Sequence, residues 1–406
     1  MVIETHLLSN GIRIIHTHHH SPVGNCALII NTGSRDEAPN EHGMAHFIEH
    51  VIFKGTKKRK AFHILSRLDD VGGELNAYTT KEETCIYASF LKEDYDRALE
   101  LIHDITFNSI FPNKELEKEK EVIVDEINSY KDSPSELIFD DFEELIYPND
   151  PMGRNILGTA ETLRTFTRED VLRFIANNYH TDQMVICSVG NIAFKRLCNL
   201  CERYFGSVKP NLRSQMRREV TPYVPQQKEV KMDTYQSHMI IGNVAYDLNH
   251  PKRLGLHLLN NILGGPGSNS RLNMSLREKN GIAYNVESSY SPYFNTGVFT
   301  IYFGTDEENL ARSMRIINKE LNLLRNQTMG SLQLHKAQRQ LKGQMTIATE
   351  NKESLMLSLG KSFLLYDKVD ALETIYQKID AITATDLMEI ANDILAPEKL
   401  SYLTYR

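Results

Sequence analysis

Long apolar runs are missing from this chain. No window approaches the ~20 continuous apolar residues that span a bilayer, which excludes a helical membrane protein. The first residues, Met1 to His6, carry no basic stretch followed by an apolar one. They read as the approach to a strand and not as a secretory signal, so a cytoplasmic protein is expected. Cysteine is scarce and odd in number: Cys26, Cys85, Cys187, Cys198 and Cys201. That excludes a disulfide framework and fits reduced thiols. Cys198 and Cys201 form a Cys-x-x-Cys, but no second pair accompanies them, and 194–205 has the pattern of an amphipathic helix. They are read as buried or inert thiols. A basic excess is absent too. The net charge of -7 over 406 residues argues against nucleic-acid binding and is compatible with neutral or basic peptides as substrates.

What is present is the composition of a water-soluble enzyme, 41% apolar and 24% charged, at a length suited to two domains. Apolar segments flanking Ser9-Asn10-Gly11 predict a hairpin with a type I′ turn. Strands are expected at 26–31, 74–78, 84–90 and 184–189, and helices at 41–53, 92–107, 113–130 and 168–177. The stretch 206–227 carries Pro210, Pro222, Pro225 and the basic run Arg213 to Arg218, a composition suited to an exposed linker. After it the same order returns: strands at 229–232 and 237–245, helices at 251–263 and 271–279, strands at 283–289 and 297–303. A long helical tail and a last strand at 400–405 follow. Strands then helices, twice over, predict an α+β protein of two similar domains, 1–209 and 227–406, joined by a linker at 210–226. Each is expected to be a mainly antiparallel sheet packed with helices.

The chemistry concentrates at His46-Phe47-Ile48-Glu49-His50. On a helix, residues four apart share one face, so both imidazoles can reach a single Zn²⁺. Glu49 lies three residues from His46 and shares that face, placed to take a proton from a metal-bound water without being a ligand. A catalytic zinc needs a third protein ligand and one open position. Glu119 and Glu126, two turns apart on the predicted helix 113–130, are the candidates. One would ligate and the other would orient a ligand or the water.

The motif, preceded by Gly43-Met44-Ala45 and followed by Phe53-Lys54-Gly55-Thr56, resembles that of the M16 (pitrilysin) family of inverzincin peptidases. Glu126 stands 76 residues beyond His50, the family's spacing for its third ligand, and 119–127 is similar to the family's ligand helix. The resemblance implies an LuxS/MPP-like metallohydrolase fold and one zinc per chain on His46, His50 and Glu126. It makes Glu49 the base and Glu119 a supporting acid. Gly73 to Thr79 resembles the edge strand that pairs with substrate, with Asn76 and Ala77 at the matching positions. Arg277 and Tyr284, within Leu276-Arg277-Glu278 and Gly281-Ile282-Ala283-Tyr284, match a pair that hydrogen-bonds substrate and the developing oxyanion. Half-length members of the family, which include mitochondrial processing peptidase and bacterial processing-protease-like proteins, work as two-chain clamshells. This implies a peptide or unfolded-polypeptide substrate and a homodimer completed in trans, with a heterodimer with a related M16 chain as the other arrangement. A non-catalytic scaffold subunit is the alternative within the family.

Two further motifs carry less. His16, His18, His19 and His20 form a His-rich tract, but alternation along a strand sends neighbours to opposite faces. Gly264-Gly265-Pro266-Gly267 lacks the Gly-Lys-Ser/Thr of a phosphate loop and reads as a flexible loop.

Overall fold

The computed structural model describes residues 2–232 and 234–406; Met1 and Asp233 lie outside the described residues. The chain forms two compact units, each assembled from three stretches of sequence.

The first unit comprises Met1–Asn128, Ile156–Arg218 and Ile347–Ala371. Its strands are β1 (Ile3–Leu7), β2 (Arg13–His18), β3 (Val23–Ile30), β4 (Glu74–Thr79), β5 (Thr84–Leu91) and β6 (Met184–Gly190). They make one six-stranded sheet in the order β1-β2-β6-β3-β5-β4. All neighbours are antiparallel except β2 and β6. The central strands β3 and β6 are buried almost throughout, which requires both faces of the sheet to be covered. Ala27, Ile29, Val185 and Cys187 meet Met356, Leu359 and Phe363 of helix Lys352–Tyr366 on one face. Helices Tyr95–Phe107 and Phe194–Phe205 supply the other cover. Strand β4 is an edge, paired to β5 alone.

The second unit comprises Ser129–Asn155, Glu219–Thr346 and Leu372–Arg406. Strands β7 (Gln227–Val230), β8 (Ser237–Val244), β9 (Val286–Pro292), β10 (Gly297–Thr305) and β11 (Ser401–Tyr405) pair in the order β7-β11-β8-β10-β9. Alternation along the strands builds two cores. Ile241 and Ile301 join the layer that holds Leu256, Leu259, Ile317 and Ile390. Ile240 and Tyr302 face Ile138, Phe142 and Ile146 of helix Pro134–Ile146. The Tyr405 hydroxyl donates to Asp141 at 2.6 Å and fastens that helix to the sheet.

The expected α+β class and twin-sheet plan describe the molecule, but the units do not coincide with the stretches 1–209 and 227–406. Helix Lys352–Tyr366 belongs to the first unit and helix Pro134–Ile146 to the second. Two local readings also change. The hairpin turn is not type I′, because Gly11 alone takes positive φ there; Asn10 is buried and donates to the carbonyls of Phe205 and Val208. The basic run in 213–218 is exposed at Ser214, Gln215, Met216 and Arg218, as in a linker, but docked at Arg213 and Arg217. Arg213 and Arg217 both bond Asp36, and the Arg217 side chain is 4% exposed.

Two imidazoles, His16 buried and His257 partly buried, set an acid limit on this fold. His16, inside β2, and His257, beside the ring of Tyr290, both have pKa values lowered to about 4, chiefly by burial. The unfolded chain takes up these protons near the ordinary value of about 6.5, the folded chain near 4. Stability from these groups is therefore complete above about pH 6.5 and is lost as pH falls toward 4. Urea midpoints measured across that window should fall with acid. His16→Gln should remove its share, up to about 1.4 kcal/mol per pH unit. An unchanged slope would mean that His16 titrates normally in the fold.

Candidate metal centre

Helix Met44–Val51 is apolar nearly all round, with Met44, Ala45, Phe47, Ile48 and Val51 buried, so it is an interior helix. Gly43 precedes it at φ 94°, a left-handed turn where a Cβ would come within 2.8 Å of Leu157 O and the Gly158 backbone. The buried carboxylate of Glu37 accepts from the backbone amides of Gly43 at 2.9 Å and Ala45 at 2.8 Å. It thereby satisfies donors that the helix leaves open at its N-terminus. Sequence reasoning did not single out Glu37. An acid several residues upstream of a helix carries no local signature.

Helix Asn113–Lys131 brings the carboxylates. Its buried stripe is Leu116, Glu119, Lys120, Ile123 and Ile127. Glu119 thus occupies a position where the helical period calls for an apolar side chain, and a buried carboxylate needs partners. It has two: Lys54 Nζ at 2.7 Å and His50 Nδ1 at 3.3 Å. Donation from Nδ1 leaves His50 Nε2 as the lone-pair nitrogen, and this nitrogen lies 3.6 Å from Glu126 Oε2. His46 Nε2 lies 3.9 Å from the same oxygen. Burial, with neighbouring His50 second, lowers the His46 pKa to about 3, so that ring is neutral and available as a donor.

Among the described residues, one group has the geometry to grip a metal ion: His46, His50 and Glu126, with ligand atoms within 4.8 Å of one another. Two donors on one tetrahedral ion, at 2.0–2.1 Å each, sit roughly 3.4 Å apart. The Glu126 oxygen is within about half an ångström of that spacing from each ring. Two imidazoles, one neutral by burial, and a carboxylate suit zinc. Glu49 lies beside the group. Burial pushes its carboxyl above the usual range, with Thr79 and His50 opposing and Glu126 adding to the rise.

The remaining predicted residues divide between the units. Asn76 and Ala77 lie on edge strand β4, which packs against the motif helix. Arg277 and Tyr284 belong to the second unit and pair with each other, the guanidinium carbon 5.0 Å from the ring centroid. Arg277 sits on a π-helical turn, Asn273–Glu278, and both side chains line a cavity of about 750 Å³. Gly264, Gly265 and Pro266 line it as well, so the glycine-rich loop borders this cavity. Of the histidine tract, His16 is buried in the core, and none of the four joins a metal-binding group among the described residues.

Residues 13–160 match the family described as "Insulinase (Peptidase family M16)", and residues 165–341 match "Peptidase M16 inactive domain". A Bacillus subtilis protein named as an uncharacterized zinc protease, YmxG, is 33% identical over 98% of this chain and 97% of its own. A Rickettsia bellii protein, also named an uncharacterized zinc protease, is 34% identical over 97% of this chain and 95% of its own. Two crystal structures share the fold. One is of a protease from Helicobacter pylori, with TM-score 0.93 at 21% identity, covering 100% of this chain and 99% of that one. The other is of a peptidase M16 inactive domain from Pseudomonas fluorescens, with TM-score 0.91 at 18% identity, covering 100% and 98%.

Proposed function

Since the chain belongs to peptidase family M16, we propose that it is a zinc metalloendopeptidase acting on peptides or unfolded polypeptide segments. The observation that carries this reading is the meeting of His46, His50 and Glu126 from two helices, with Glu49 alongside. These three residues would hold the ion. Zinc bound there supplies a Lewis acid that makes water a competent nucleophile near neutral pH. Glu49 takes the proton of the attacking water and hands it to the departing amine. Glu119 holds the His50 ring in its working tautomer through the 3.3 Å hydrogen bond.

Substrate binding is proposed at the free edge of β4. An extended peptide would add as a strand along Asn76 and Ala77, reading backbone more than side chains. That preference excludes folded proteins, whose backbone groups are already paired. Arg277 and Tyr284 are proposed to donate to the substrate from a second copy of the chain, making the working form a homodimer. Five unpaired thiols suit a cytoplasmic setting. Among the described residues no helix is long and apolar enough to cross a membrane.

The test is metal content and cleavage on the same preparation. The purified chain should carry about one zinc. It should cut an unstructured peptide, lose that activity to a chelator and regain it with zinc. Intact peptide with little zinc would support a scaffold subunit instead. Bound zinc with intact peptide would support a hydrolase for another bond.

A further inference from the structure

The charged cluster between 213–218 and the loop after β3 is far more buried than surface ion pairs are. Asp36 closes a short 3-10 turn, Ser34–Asp36. Its carboxylate accepts from Gly33 N at 3.0 Å, Arg213 Nη2 at 3.0 Å, and Arg217 Nε and Nη2 at 2.9 and 2.7 Å. Arg217 also donates to Glu82 O at 2.7 Å and Asn31 O at 3.3 Å. Arg35 bonds the Glu82 carboxylate and donates to Arg218 O at 3.1 Å. Three guanidinium groups and two carboxylates thus bind three pieces of chain together: the loop 31–37, the β4–β5 turn and the segment 213–218.

This cluster adjoins the metal centre on two sides. The residue after Asp36 is Glu37, whose two carboxylate oxygens hold the amides of Gly43 and Ala45, and the next residue along that helix is His46. Ser34 N and Arg35 N donate to Thr80 O and Lys81 O, just past the end of β4. The contact is tight at Gly33, where a Cβ would come 2.2 Å from Thr80 O. At Arg218 the chain leaves the first unit. Stretch 206–226 has no regular secondary structure, and side-chain bonds supplement a few backbone ones, such as Thr181 N to Asn211 O, in holding it in place.

We propose that Arg217 and Arg213 are positioning residues for the metal centre. By clamping Asp36 they fix Glu37, and through it the start of the helix that carries His46 and His50. Seating of segment 213–218 therefore sets how well the first unit grips its metal. This rests on the zinc reading above for its consequence, though the mechanical link stands on contacts within the protein.

Zinc affinity by chelator competition, and amide hydrogen exchange at Gly43 and Ala45, test it on the full chain. Samples are held below their unfolding temperatures. Arg217→Ala should weaken zinc about tenfold or more, the scale seen for groups that orient ligands from outside the first sphere. It should also speed exchange at both amides. Arg217→Lys should restore part of each effect. Arg213→Ala removes one of the Asp36 bonds and should act in the same direction but less, so it serves if Arg217→Ala does not fold. Leu197→Ala, a core truncation in helix Phe194–Phe205, should lower stability without moving either readout. Native zinc affinity and protected amides in a folded Arg217→Ala would overturn the proposal. So would an equal loss of zinc affinity in Leu197→Ala. Should the parent chain bind no zinc, the peptidase reading fails on its own, and exchange at Gly43 and Ala45 still decides the positioning claim.

Discussion

Glu49→Gln is expected to keep its zinc and lose about 10²–10⁴-fold in kcat, the range that a positioned general base contributes. The carboxamide has nearly the shape of the carboxylate, so the interior helix Met44–Val51 has no reason to repack. Metal retention follows from the proposed donor set, because His46, His50 and Glu126 form the group that could hold an ion and Glu49 is not part of it. Loss of turnover follows because the other nearby acid described at the site is not free to act as base. Glu119 is already engaged by Lys54 at 2.7 Å and His50 at 3.3 Å. Burial raises the Glu49 carboxyl above its ordinary value. Metal analysis and steady-state kinetics on one preparation separate the outcomes. Loss of zinc would mean that Glu49 is a ligand, and retained turnover would place the base elsewhere.

The pairing of His46 with His50 was legible in the sequence because its information is local. Two histidines four apart on one helix declare a shared face without any tertiary knowledge, and the 76-residue spacing to Glu126 carries the resemblance. Glu119 was legible through its seven-residue spacing from Glu126, two turns along one helix face. Glu37 was not, because a cap reached from six residues before Gly43 leaves no periodic mark. The run Arg213 to Arg218 misled for a physical reason. Arginine and proline are typical of solvated linkers, and only distant partners, Asp36 above all, seat Arg213 and Arg217. The interleaving of the units was illegible on the same ground. An amphipathic helix announces that it has an apolar face, not which sheet it will cover.

A sharp test of that interleaving lies at Gly360, where helix Lys352–Tyr366 comes close to the first sheet. A Cβ there would stand 2.6 Å from Cys187 Sγ and 2.7 Å from Ile29 Cδ1. Helix propensity alone makes Gly360→Ala favourable by about 1 kcal/mol. Packing opposes it, since overfilling a close-packed contact costs ~1–3 kcal/mol. Packing should win, because Cys187 and Ile29 belong to central strands with no room to retreat. Gly360→Val, larger and stiffer at Cβ, should cost more and lower the unfolding midpoint by roughly 5–10 °C, at 2–4 °C per kcal/mol for a unit of this size. It should also expose the Cys187 thiol, which burial holds far above its ordinary pKa, to alkylation detectable by peptide mass. Cys187→Ala removes the sulfur that the new Cβ strikes, so the double variant Cys187→Ala/Gly360→Ala should recover much of the loss of Gly360→Ala. A Gly360→Ala chain more stable than the parent, or additive effects in the double variant, would show that this helix does not seat on β3 and β6 as described.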